Sequence, residues 1–459
     1  MSGGQGRNRR RGRPNRRRTS ARPAAQGDSL VGTRLELEVG DVAHGGHCVA
    51  RHDGRVVFVR HTLPGERVIA EVTDGGSASR FLRADAVQIL QSSPERRTAP
   101  CRFAGPGACG GCDWQHTSAA FGRELKARVV REQLRRLAGL EWSGSVEPVP
   151  GDEEGLRWRT RVEFAVAADR RLGLRKHRSH DVVPVDDCLI AVPDIAATGL
   201  LTERAADGVT GVDVAVAGNG EVVAVDLPLR APSRGAPSRG SSSGPEERSG
   251  GGSRIETSDD LPDVLERVTV PGHGARDFAV SARGFWQVHP GAAATFVGAA
   301  LDGLRPEQGE QVLDLYAGVG VFTAFLAEAV GPAGRVLGLE GDARAVADGQ
   351  HNLTDLPRAS LERADIGRAG WEAAVDRLDR VDLVVLDPPR SGAGREVIGR
   401  LLARGPRRAA YIACDPAALA RDLSYAADAG YHVDSLRAFD AFPMTHHVEC
   451  VAILQPVRG

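Results

Sequence analysis

A chain of 459 residues, 41% hydrophobic and 26% charged, has room for about two to four domains and a substantial buried core. No apolar run reaches the roughly 18 residues of a membrane span, and the N-terminus lacks the apolar stretch of a secretory signal, which excludes a membrane enzyme and leads us to expect a cytoplasmic protein. The formal charge of -1 conceals an uneven distribution, because residues 1–30 carry nine Arg against one Asp.

Residues 1–29 form the basic stretch, including "RNRRRGRPNRRRTSARP". It has too little apolar surface to fold and is expected to be disordered. Its charge suits nonspecific contact with RNA phosphates, and a purely compositional tail is the alternative. Arg outnumbers Lys 57 to 2 across the chain.

Residues 30–92 alternate apolar and polar positions between closely spaced Gly turns, which predicts a small OB-like β-barrel. Barrels of this kind commonly bind RNA. His44, His47 and Cys48 crowd one turn there and read as ordinary surface residues rather than a metal site.

Residues 93–284 form the expected central domain. It opens on "CRFAGPGACGGCDWQH" and continues into an amphipathic helix bearing Leu125, Val129, Leu134 and Leu137 at near-helical spacing. Strands return over 155–190, where Arg157, Arg159 and Arg161 either meet phosphate or line an exposed strand face. The Gly/Ser/Pro/Arg-rich stretch 229–260 reads as a flexible insertion.

From 285 to 459 strands alternate with helices, predicting an open, doubly wound α/β sheet whose last two apolar runs form an antiparallel edge hairpin. A ligand should lie at the carboxyl ends of the strands, where Asp314, Glu340, Asp387 and Cys414 fall. "DLYAGVGVF" places Gly318 and Gly320 in a strand-to-helix turn that a ligand can approach closely. Glu340, about twenty residues on, is placed to accept from ribose hydroxyls. Thr323 replaces the third glycine of a dinucleotide fingerprint, which favours a smaller adenosyl ligand. Asp387-Pro388-Pro389-Arg390 is a rigid loop beside the reactive end of such a ligand.

Cys414, in "YIACDPAALARDL", and Glu449, in "FPMTHHVECVAIL", complete a chemical set. Carbon 5 of uracil is too weak a nucleophile to take a methyl group directly. A thiolate adding at carbon 6 gives carbon 5 carbanion character, and a carboxylate can then remove its proton. A helix starting at Pro416 is expected to lower the pKa of Cys414. Seven cysteines, an odd number, argue against a disulfide framework in a cytosolic chain. The count favours metal ligands and a catalytic thiol, and a set of four thiolates can bind iron–sulfur or zinc.

These motifs resemble those of the bacterial RNA uridine-5 methyltransferase family, over most of residues 30–459. The resemblance implies an N-terminal TRAM barrel, a central α+β cysteine-cluster domain and a Rossmann-like class I methyltransferase domain. It implies Cys414 as nucleophile, from "CDPAALARDL", and Glu449 as base, from "HVE". From "GFWQVHP" it implies Gln287 in the active site. Tyr316, Gly318, Gly320, Glu340, Asp365 and Asp387 would bind S-adenosylmethionine. Cys101, Cys109, Cys112 and Cys188 would hold a four-iron four-sulfur cluster (4Fe-4S). This sequence departs from the family at Val321 and Asp415, each in place of a common Asn. RNA cytosine-5 enzymes carry a second cysteine in the Asp-Pro-Pro loop, and its absence favours uracil. The implied reaction is 5-methyluridine formation in RNA, with 23S rRNA favoured over tRNA, by a monomer without membrane contact. An oxidoreductase with a nucleoside cofactor and a noncatalytic iron–sulfur RNA-binding protein are the alternatives.

Overall fold

The computed structural model describes residues 27–228, 253–255, 261–368 and 370–457. Most of the basic stretch and of the 229–260 insertion therefore lies outside the described residues. Five strands come first: β1 (Arg34–Val42), β2 (Cys48–His52), β3 (Arg55–Arg60), β4 (Arg67–Asp74) and β5 (Phe81–Gln91). They close into a barrel in the order β1-β2-β3-β5-β4. Alternate residues Leu35, Leu37 and Val39 of β1 and Val57 and Val59 of β3 point into its core, as a strand period of two requires.

Helix α1 (Ala119–Ala138) is capped by Ser118, whose hydroxyl accepts from the Phe121 amide, and ends at left-handed Gly139. Leu125 and Val129 join the barrel core. Ala127, Val130 and Leu134 instead pack on the large C-terminal sheet. The helix is thus buried on two sides, and truncating Leu125 to Ala should cost about 2–5 kcal/mol. The short strand β6 (Val146–Pro148) follows.

A central six-stranded sheet contains β7 (Arg161–Val166), β8 (Leu172–Arg175), β9 (Val182–Pro184), β10 (Val209–Val216), β11 (Val222–Pro228) and β12 (Ser253–Ile255), with the short helix α2 (Pro193–Ala197) between β9 and β10. Its order is β12-β11-β10-β7-β8-β9. A hairpin, β13 (Asp263–Val270) and β14 (Gly274–Ser281), then packs Val268, Val270, Phe278 and Val280 against the C-terminal unit and Val264 against Ala215, Val223 and Val225 of the central sheet.

The C-terminal unit runs α3 (Ala292–Leu304), β15 (Gln311–Leu315), α4 (Val321–Val330), β16 (Arg335–Glu340), α5 (Ala343–Asn352), β17 (Ala359–Arg363), α6 (Glu372–Val375), β18 (Leu383–Leu386), α7 (Gly394–Leu402), β19 (Arg408–Ala413), α8 (Pro416–Asp428), β20 (Tyr431–Asp440) and β21 (Glu449–Pro456). Its sheet has the order β17-β16-β15-β18-β19-β21-β20-β6. Strands β15 to β19 are parallel, while β21 runs antiparallel to both β19 and β20. The β20–β21 hairpin is present, but β20 is not the edge: β6 pairs parallel to it through Ala438, Phe439 and Asp440. Within β18, Leu383 and Val385 face one core and Val384 and Leu386 the other. Continuous apolar runs are what a sheet buried on both faces requires.

Candidate active site

The carboxyl ends of β15, β16 and β18 gather three acids. Asp314 is fully buried; its Oδ2 accepts from the Thr323 hydroxyl at 2.6 Å, while Oδ1 has no hydrogen-bond partner. Burial, with the nearby carboxylates Asp387 and Glu340, pushes its pKa up to about 7 against the opposing Thr323 bond. Asp387 is likewise pushed up to about 7 by burial. Glu340 accepts from the backbone amides of Gly318 at 3.0 Å and Asp342 at 2.8 Å. Between β15 and α4 the chain turns through Tyr316 at φ 62°, Gly318 at 53° and Gly320 at 85°. Tyr316 is a non-glycine residue held in the left-handed region, the kind of strain that gathers at functional sites. A Cβ on Gly318 would meet no atom within 4 Å, so the turn faces open space. Thr323 is more than a missing glycine, since it anchors Asp314 at the floor of the turn. Asp365, at the carboxyl end of β17, is exposed and pairs with Arg368 at 3.1 Å.

The Asp-Pro-Pro loop is held from behind. Asp422 of α8 accepts from the Ala393 amide at 2.7 Å and from the Tyr411 hydroxyl at 2.6 Å. The sequence offers no signal for this buried acid, yet it ties the loop after Arg390 to the helix that follows Cys414.

Cys414 lies between β19 and α8, half-buried, and Glu449 opens the neighbouring strand β21, 4% exposed. The two are electrostatic neighbours, sharing Asp387 and Arg390. The expected lowering of the thiol pKa by the helix N-terminus is overturned. Burial and the carboxylates Glu449, Asp387 and Asp415 push it up to about 12, with Arg390 opposing. The Glu449 carboxyl is raised well above its ordinary range, by burial first and by Asp387 next. Cys450 is fully buried in the sheet core. Gln287 is half-buried in the segment between β14 and α3. That segment is fixed on both sides: Val288 O accepts from the Thr160 amide at 2.9 Å, and His289 stacks on Trp158 at 5.8 Å.

Several residues that looked peripheral are structural partners of this region. Of the turn residues read as surface groups, Cys48 is fully buried in the barrel core and His47 half-buried, while His44 is exposed but has a specific partner. His44 Nε2 lies 2.8 Å from the Asp415 carboxylate, and His47 packs edge-on against Phe58 at 4.7 Å, its pKa lowered to about 4 chiefly by burial. His446 Nδ1 lies 2.6 Å from Asp113, and its ring is 4.1 Å from that of His447. Lys126 of α1 is buried in an ion pair with Asp440 and donates to Phe442 O at 3.0 Å. The arginines anticipated near phosphate are engaged internally. Arg157 forks onto Asp187 at 2.9 and 2.7 Å, Arg161 pairs with Glu266 at 2.9 Å, and Arg159 donates to Arg161 O at 3.0 Å.

Cys101, Cys109, Cys112 and Cys188 line one cavity of about 50 Å³ together with Phe103, Val162 and Leu174. Among the described residues no three His, Cys, Asp or Glu side chains are close enough to share a single metal ion. The Gly111 amide and the Gln115 side-chain amide each donate to a cysteine sulfur, Cys109 and Cys112 respectively, at 3.4 Å. Among the described residues no helix is long and apolar enough to cross a membrane.

A closed five-stranded barrel joined to a mostly parallel α/β sheet, with acids at its carboxyl edge, defines a Rossmann-like methyltransferase carrying a TRAM-type barrel. Residues 264–457 match the tRNA (uracil-5-)-methyltransferase family and residues 28–87 the TRAM domain. An uncharacterized RNA methyltransferase of Streptomyces coelicolor is 50% identical, with 96% of each chain covered. The 23S rRNA (uracil(1939)-C(5))-methyltransferase of Pseudomonas aeruginosa is 32% identical, over 94% of this chain and 96% of that one. The crystal structure of the Pyrococcus abyssi tRNA (uracil-54, C5)-methyltransferase, at 22% identity, shares the fold with a TM-score of 0.63, over 92% of this chain and all of that one. The chain belongs to the RNA (uracil-5-)-methyltransferase family, with an N-terminal TRAM domain.

Proposed function

We propose that the protein methylates carbon 5 of one uridine in 23S rRNA, with S-adenosylmethionine as donor and a covalent Cys414–uracil bond as intermediate. The convergence of Cys414 and Glu449 with Asp387 and Arg390 carries this reading. The residues present fit an adenosyl cofactor. The Asp314 Oδ1 atom is buried without a partner, and the Gly318 turn opens onto space a ligand can fill. Asp314, Tyr316, Gly318, Gly320, Glu340, Asp365 and Asp387 would line its site, with Gln287 among them. The cofactor supplies the electrophilic methyl group.

Cys414 gives up its proton to solvent and its sulfur adds to carbon 6; the electron pair this places on carbon 5 would attack the methyl carbon, the electrons of the broken methyl–sulfur bond staying on the cofactor's sulfur. Glu449 then takes the carbon 5 proton, and the electrons of that C–H bond expel the thiolate as the ring double bond re-forms. A buried base with raised proton affinity is matched to that step. A raised thiol pKa means that Cys414 is held as the neutral thiol in the RNA-free protein.

The four remaining cysteines fit a 4Fe-4S cluster better than zinc, because they surround one cavity without closing on one point. Cys101, Cys109, Cys112 and Cys188 would hold it, and it would crosslink the central segments without a redox step. Anaerobically isolated protein should contain about four iron atoms per chain, and Cys101→Ser should lower that number; iron-free, fully folded protein would remove the cluster from this account. The preference for 23S rRNA draws support from the Pseudomonas relative. Incubating the protein with labelled S-adenosylmethionine and either 23S rRNA or tRNA from cells lacking the gene tests it: label confined to tRNA would reverse the assignment.

A further inference from the structure

The turn between β1 and β2, Ala43-His44-Gly45-Gly46-His47, meets three separate loops of the rest of the molecule. His44 Nε2 is 2.8 Å from Asp415 Oδ2, across 371 residues of sequence. Asp415 follows Cys414 directly and is the N-cap of α8, accepting from the Ala418 amide at 2.7 Å. The second contact is at Gly46, whose added Cβ would come within 2.5 Å of His446 Cβ, so the turn backbone lies against the loop leading to Glu449. Third, the buried Trp114 indole donates to Gly46 O at 3.1 Å, joining the turn to the loop that contains Cys112. Gly45 at φ 96° and Gly46 at φ 81° make this shape available.

We propose that this barrel turn is a positioning element of the methyltransferase reaction: His44 fixes Asp415, and with it the Cys414 loop, and its positive charge offsets the carboxylate that would otherwise oppose thiolate formation. The inference rests on the reading of Cys414 as nucleophile. It assigns the TRAM barrel a part inside the catalytic centre in addition to RNA binding.

The electrostatics agree with the geometry. The hydrogen bond to Asp415 raises the His44 pKa against partial burial; Arg421 of α8 opposes and Glu132 of α1 assists. Burial works against the charge of Asp415, but the bonds from His44 and the Ala418 amide hold its pKa low. The charged pair is therefore fully formed below about pH 6.5 and is lost as pH rises through the raised pKa of His44. Asp415 is one of three carboxylates that push the Cys414 thiol upward, beside Glu449 and Asp387 and against Arg390. Neutralising it from the barrel side is the lever by which docking reaches the sulfur.

The test is the pH dependence of Cys414 alkylation by iodoacetamide, read on the Cys414 peptide by mass spectrometry in the full-length protein. His44→Gln keeps a hydrogen-bonding side chain without the charge, and Asp415→Asn keeps an N-cap. His44→Gln should slow Cys414 alkylation at pH 6, where His44 is charged, and match the parent above the raised pKa of His44, while Asp415→Asn should speed alkylation at the higher pH, where the carboxylate is no longer neutralised. In the Asp415→Asn background His44→Gln should have no further effect, since coupling between contacting groups disappears when one is removed. At pH 6, His44→Gln should slow adduct formation with 5-fluorouridine-containing RNA by about tenfold while the RNA dissociation constant stays unchanged. Equal shifts in both backgrounds, or none, would overturn the proposal. So would weakened RNA binding with an unaltered Cys414 titration, which would make His44 an RNA ligand. Full methylation by Cys414→Ala would instead overturn the nucleophile reading itself, so the two failures are distinguishable.

Discussion

The two halves of the candidate site are built in different ways. The cofactor side is assembled by one sheet: Asp314, Glu340 and Asp387 sit at the ends of β15 and its two neighbours β16 and β18, and Thr323 of α4 and the Gly318 amide complete it. The nucleophile side is assembled by docking. Around Cys414 and Glu449 lie His44 and Gly46 from the barrel, Asp113 and Trp114 from the cysteine loop, and Lys126 and Asp440 from α1 and β20. A ligand crevice at the carboxyl edge of a parallel sheet follows from the winding of the chain. The surroundings of the thiol exist only once three folded units have met. Damage to the first half should act locally on ligand binding, whereas damage to the second should act on chemistry and on the fit between units together.

The largest expected effect sharpens that division. Cys414→Ala should lower the methylation rate by on the order of 10⁶-fold, comparable to removing the nucleophile of another covalent enzyme, and should abolish adducts with 5-fluorouridine RNA. Binding of S-adenosylhomocysteine, measured by calorimetry, should persist, because the cofactor side is separate. Loss of both would show that the halves are one cooperative unit. Glu449→Gln should come next, at about 10²- to 10⁴-fold, with covalent protein–RNA complex accumulating on denaturing gels. An equally slow variant without accumulated complex would move the base elsewhere.

The sequence exposed these halves unequally. The barrel, the α/β order, the Gly turn and the acids were legible because each lies in a contiguous segment whose periodicity or turn chemistry is local. The surroundings of the thiol were not. His44 is exposed, as the sequence suggests, but its partner, 371 positions away, leaves no local signal. Helix α1 has apolar residues on two faces, so a single-face pattern gave no reason to bury Lys126. The helix N-terminus behind Cys414 was visible, but the carboxylates that outweigh it come from other strands. Strand β6 is three residues long, too short for any periodic signal. Asp422 accepts from the loop after Arg390, a partner outside its own helix for which the local sequence carries no signal.

The buried pair beneath the docked side offers an intermediate effect. Lys126→Met leaves Asp440, 2% exposed, without its countercharge and should cost about 3–5 kcal/mol of stability. Adding Asp440→Leu should restore most of it, since an apolar pair of similar volume replaces a desolvated one. Chemical denaturation of the single and double variants checks this. A double variant as unstable as Lys126→Met would show that the Asp440 carboxylate has another essential partner.

The smallest effect concerns Glu449 itself and sets function against stability. Its carboxyl is fully buried and its pKa is raised well above 4.5 in the folded protein. Holding it ionised therefore costs folding free energy, and the sign is fixed by linkage: the penalty is absent below the unfolded pKa and grows as pH rises toward the folded value. Glu449→Gln removes the ionisation and keeps the volume. At pH 7.5 it should raise the stability of the RNA-free protein by about 1 kcal/mol, or about 2–4 °C in Tm for a unit of this size. At pH 4 the variant and the parent should melt together. Such a pattern would mean that the base is kept in a costly environment because proton abstraction requires it. A variant less stable than its parent at pH 7.5 would mean instead that Arg390 and Lys126 already compensate the charge, and that the docked half of the site carries no stored penalty.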